Sequence, residues 1–116
     1  MHLRKTVRPA DSELEFEVVI HCADIPRAEG KYIVGRAPDS PDRVFVVFDD
    51  TAPFHKDIGQ KYGVRPQGGG WCVLDRAALA LTISSRSTQY GREPNRQATL
   101  AAFRAALPDY LCEEEG

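Results

Sequence analysis

Arg43-Val44-Phe45-Val46-Val47-Phe48-Asp49-Asp50-Thr51-Ala52-Pro53-Phe54-His55 changes character midway. From Val44 to Phe48 it is apolar on both faces and rich in β-formers, the composition of a central strand covered on two sides. Asp49, Asp50 and Thr51 then bring cap-type side chains just ahead of Pro53, a proline suited to the first turn of a helix. Gly63 offers the stop, and Phe54, Ile58 and Tyr62 at i, i+4 and i+8 form the stripe that such a helix buries. A strand needing cover on both faces, followed at once by an amphipathic helix, calls for a sheet flanked by helices.

The flanking sequence extends the pattern. Upstream, Leu14, Phe16, Val18, Ile20 and Cys22 alternate with Glu15, Glu17 and His21, the period of a half-buried strand. Lys31 to Gly35 is a shorter strand candidate, and a Pro/Asp/Ser turn from Pro38 to Asp42 separates it from the central run. Downstream, Gly68-Gly69-Gly70 interrupts the chain before Trp71 to Leu74, and Leu79 to Ile83 is again strand-like. A second helix is expected from near Pro94 to about Leu107, with Leu100, Phe103 and Leu107 inward, and Tyr110 to Cys112 forms a last short strand. The expectation is an α/β (α+β) fold in which one mixed sheet packs between two helices, a single domain over residues 1–116 with 1–12 and 113–116 flexible.

Composition excludes several functions. The chain has 116 residues, 42% hydrophobic and 28% charged, which fits one globular domain. Fifteen basic against seventeen acidic residues leave a net charge of -2, so no global positive field gathers nucleic acid or anionic lipid. The apolar runs are too short to span a bilayer, and no export signal is visible near Met1. Cys22, Cys72 and Cys112 are odd in number and widely spaced, which fits free thiols in a reducing cytoplasm. A cytoplasmic monomer without cofactor, membrane or nucleic-acid partner is the expectation.

His55 carries the most chemistry by position. A helix N-terminus favours a neutral imidazole, which can act as base or nucleophile, and the same end offers unpaired backbone N–H groups to an anion. Ser84 to Gly91, with hydroxyls and Arg86, reads as an anion cradle or as a common loop; the glycine run reads as a nest or as a bulge. His2 and His21 are weaker candidates, the former expected to be disordered and the latter on a partly exposed strand face. No zinc, triad or paired-carboxylate spacing stands out.

Taken in order, Phe54-His55-Lys56-Asp57-Ile58, the triple glycine, Ser87-Thr88-Gln89-Tyr90-Gly91 and a helix closing on Pro108-Asp109-Tyr110 resemble the phosphohistidine phosphatase (Janus/Ocnus) family from about Phe16 to Tyr110. The resemblance implies a mixed sheet between helices, no metal or cofactor, and a helix-start histidine, His55, acting on a phosphoryl group held by loop amides. It places that loop on Ser87, Thr88, Gln89, Tyr90 and Gly91, with Ser87 and Gln89 as amide donors, and the glycine loop on Gly68, Gly69 and Gly70. Lys56, Arg86 and Arg92 are the cations within reach in sequence. The implied substrate is a phosphorylated protein or a small phosphoramidate. Two family basic positions differ: Glu17 stands where animal members carry lysine, and Trp71 follows the triple glycine in place of arginine. The residues thus leave two functions open, a phosphatase-like hydrolase and a non-catalytic anion- or protein-binding module on the same fold.

Overall fold

A computed structural model describes residues 1–10 and 12–115. Seven strands, β1 (His2–Val7), β2 (Glu15–His21), β3 (Arg27–Ala37), β4 (Ser40–Asp49), β5 (Arg65–Asp75), β6 (Ala80–Ser84) and β7 (Leu111–Glu114), form one sheet, with α1 (His55–Tyr62) and α2 (Arg96–Ala106) between them in sequence. The order across the sheet is β1-β2-β4-β3-β5-β6-β7. Two pairings, β2 with β4 and β6 with β7, are parallel, and the rest are antiparallel. This is the mixed α+β architecture expected.

β4 sits inside the sheet, and Val46, Val47 and Phe48 are all fully buried. Alternation sends Phe16, Val18, Ile20, Val46 and Phe48 to one face, where they meet Leu100, Phe103 and Leu107 of the α2 segment. Val19, Ile33, Phe45 and Val47 point the other way, onto Ile58 and Val64 around α1. The two helices therefore cover opposite faces. The three cysteines are free and buried, and no helix among the described residues is long and apolar enough to cross a membrane.

Several expectations need correction. Residues 1–12 were expected to be flexible, yet His2–Val7 is a strand paired along β2, and His2 there brings its Nδ1 to 3.1 Å from that of His21. At the other end Leu111–Glu114 pairs with β6, so Glu113 and Glu114 are also part of the sheet. Asp11 and Gly116, within the same two ranges, lie outside the described residues. The glycine run does not interrupt the chain but lies within β5. Phe54, expected in the buried stripe, is 60% exposed, because α1 begins only at His55 and Phe54 is its extended N-cap.

Candidate functional site

The start of α1 is anchored by Asp49. Its carboxylate, fully buried, accepts the Thr51 N–H and hydroxyl at 2.9 and 2.6 Å. It also accepts from Lys61 and Tyr62, both at 2.8 Å. One acid thus ties the turn leading into the helix to its last residues, rather than capping it as the sequence led us to expect. His55 is thereby fixed above β5, where its Nε2 lies 3.0 Å from the Gly70 carbonyl oxygen. A carbonyl only accepts, so Nε2 carries the hydrogen and Nδ1 the lone pair. Burial lowers the His55 pKa; the Gly70 bond opposes this and the Lys31 charge adds to it, with a net shift below 6.5. At neutral pH the imidazole is therefore a base.

A cavity of about 230 Å³ opens beside this ring. Five of the residues expected at the site line it with His55: Gly70, Arg86, Ser87, Thr88 and Gln89. Lys31 of β3, Trp71 of β5, Phe54 and Ser85 complete it. Lys31 was not singled out in the sequence, where it reads as the polar start of a short strand. Its signal lay in register: Lys31 pairs with Trp71, the residue following the triple glycine, which no local pattern reveals. Among the described residues no group of three or more His, Cys, Asp or Glu side chains is disposed to hold a metal ion.

The loop differs from expectation in its donors. The Ser87 N–H is given to the Gly69 and Gly91 carbonyls at 3.2 and 3.3 Å, and the Gly91 N–H returns to Ser87 O at 2.9 Å. The Ser87 hydroxyl accepts the Tyr90 N–H at 3.0 Å. Ser87 is therefore a structural clasp and not an amide donor to a ligand. The N–H groups of Thr88 and Gln89 have no partner among the described residues, so these two remain available. Gly91, with φ 74°, closes the loop from outside the cavity, and Tyr90 and Lys56 line a separate cleft with Gly63 and Pro66. The Lys56 ammonium lies 5.8 Å from the centre of the Phe54 ring.

The glycines of β5 serve close packing. A Cβ on Gly68 would lie 2.2 Å from the Glu93 nitrogen, one on Gly69 3.2 Å from His55 Cδ2, and one on Gly70 2.3 Å from the Ser84 oxygen. No nest of N–H groups is needed to explain them, since the Gly69 N–H is donated to Gly91 O at 3.0 Å. Glu17 lies away from the cavity, ion-paired with Arg4 and with Arg43 at 3.0 Å, so its carboxylate does not confront an anion beside His55. Arg92 pairs with Glu114 at 2.8 Å and is likewise outside the cavity. Compared with known proteins, the chain matches no family model and no curated protein.

Proposed function

We propose that the chain is a phosphatase-like hydrolase acting on a phosphoryl group carried by nitrogen, a phosphohistidine or other phosphoramidate, with His55 as general base or transient nucleophile. The observation that carries this reading is convergence: one cavity joins an imidazole kept neutral, two cations on Lys31 and Arg86, and the unpartnered amides of Thr88 and Gln89. The cations draw in the phosphoryl group, and the amides meet its oxygens as charge develops on them. As base, Nδ1 takes a proton from water while the water oxygen bonds to phosphorus. The P–N bond breaks, and the leaving nitrogen keeps the electron pair and is protonated from solvent. As nucleophile, Nδ1 itself bonds to phosphorus, and water then cleaves the phosphoimidazole.

Phosphoramidate hydrolysis followed by ³¹P NMR tests the reading. Wild type should release phosphate, and His55→Ala should be slower by at least about 100-fold. Equal rates would remove His55 from the reaction. A phosphorylated His55 trapped in a single turnover selects the nucleophilic route. Phosphate binding by a wild type that never turns over would instead select the non-catalytic binding module.

A further inference from the structure

We infer that Arg96, buried on the face of the sheet opposite His55, is a positioning residue that holds open the split between β5 and β6 from which the cavity is made. β6 follows β5 from the Asp75 and Ala80 pair as far as Trp71 and Ser84. At Ser85 the chain takes a left-handed φ of 59° and leaves the sheet. Gly69 and Gly70 therefore have no β6 neighbour, although buried backbone groups require partners. The departing loop supplies some, through Ser87 and Gly91. Arg96 bridges the split itself: Nη2 donates to Gly69 O at 3.2 Å and Nη1 to Ser85 O at 2.8 Å. One guanidinium thus spans a carbonyl on β5 and one on the chain that parts from it, a task suited to a planar fork of donors.

The guanidinium is fixed from behind. Glu93 Oε1 accepts from Nε at 3.1 Å and from Nη2 at 2.8 Å, while Glu93 Oε2 accepts the Tyr32 hydroxyl at 2.9 Å. The Tyr32 ring lies 5.8 Å from the guanidinium carbon, and Tyr32 stands opposite Gly70 in the β3 and β5 register. The Arg96 and Glu93 side chains are 2% and 1% exposed. Glu93, and Glu114 with its Oε2 3.4 Å from Nη1, offset the positive charge, so Arg96 acts on the cavity through geometry rather than through its field.

Transmission through the sheet is short because glycine leaves nothing in the way. A Cβ on Gly70 would stand 3.1 Å from Arg96 Nη2 on one face, and a Cβ on Gly69 would stand 3.2 Å from the His55 ring on the other. The Gly70 carbonyl then holds His55 Nε2, and the Gly69 carbonyl, shared with Arg96, holds the Ser87 N–H. A shift of the guanidinium therefore reaches both the imidazole and the anion loop through two successive peptides.

The test replaces the ion pair as a unit, Arg96→Met with Glu93→Gln, which leaves no lone buried charge and keeps an acceptor for Tyr32. The imidazole ¹⁵N spectrum of His55 and titration with inorganic phosphate are read in wild type and variant. We expect wild type to show the Nε2–H tautomer alone. The folded double variant should show mixed tautomers, a His55 titration moved further down as the Gly70 bond that raises it is lost, and phosphate affinity about tenfold weaker, the scale of one well-placed hydrogen bond. If that variant does not fold, Arg96→Lys keeps the charge but cannot span both carbonyls, and should move the same signals in the same direction. Either variant, folded and with the wild-type tautomer and titration, would overturn the positioning role. The inference rests on the proposed function only for the choice of phosphate as probe: if wild type fails to bind it, that function fails, while the His55 spectrum still decides the role of Arg96.

Discussion

The Lys31 ammonium lies 5.5 Å from the centre of the Trp71 ring, and the two residues face each other in the β3 and β5 register. An aromatic face at this distance holds a cation without neutralising it. Trp71, standing where the resembling family has arginine, thus keeps positive charge beside His55 by seating a lysine from the neighbouring strand. Lys31→Met should weaken phosphate binding by about five- to tenfold. Lys31 lowers the His55 pKa, so its removal should raise that pKa and move the acid limb of any hydrolysis profile to higher pH. An unmoved limb would place Lys31 outside the electrostatics of the site.

Asp49 makes a prediction about acid. Burial alone would raise its pKa, but hydrogen bonds from Lys61, Thr51 and Tyr62 outweigh burial and hold it well below the ordinary 3.8. A depressed carboxyl stabilises the fold fully above its unfolded pKa and loses that contribution as pH falls toward the folded value. Asp49→Asn should therefore cost about 1–3 kcal/mol at pH 7, and the gap from wild type should narrow below pH 3.8. Urea unfolding at the two pH values measures both effects.

Phenylalanines separate core from rim. Phe103 is fully buried against the sheet and Phe54 is 60% exposed. Phe103→Ala should cost about 3–5 kcal/mol, while Phe54→Ala should stay within about 0.5 kcal/mol. Comparable denaturant midpoints for the two variants would contradict the packing described.

Glu17 makes no contact with the cavity but is clamped between two arginines. Glu17→Lys should leave phosphate affinity unchanged and destabilise the fold by about 3 kcal/mol or more, since it places a third cation in a buried site between two others. Tighter phosphate binding in a folded variant would bring Glu17 back to the site.

The sequence made the layers legible because they are written in short periods. Val44 to Phe48 required cover on both faces, and Leu100, Phe103 and Leu107 marked the face of α2 that meets the sheet. The site was half legible. His55 and residues 86–89 announce themselves through a helix start and a turn, whereas Lys31 reaches the cavity only through the pairing of β3 with β5, which is non-local. Arg96 was invisible for a related reason: a charged residue in the first turn of a helix reads as solvated, and only the split between β5 and β6 gives it a buried task. Phe54 misled because a period of 3.6 says which residues share a face but not where the helix begins.

The clasp within residues 87–91 has a consequence for solvent isotope exchange. The N–H groups of Ser87, Tyr90 and Gly91 are all engaged, while those of Thr88 and Gln89 between them have no partner among the described residues. Deuterium should therefore enter at Thr88 and Gln89 almost at once and at their three neighbours slowly, a contrast between adjacent residues of a single turn. Occupation of the cavity by an oxyanion should slow those two positions and leave the other three as they were, so that the loop reports its own ligand without itself changing shape.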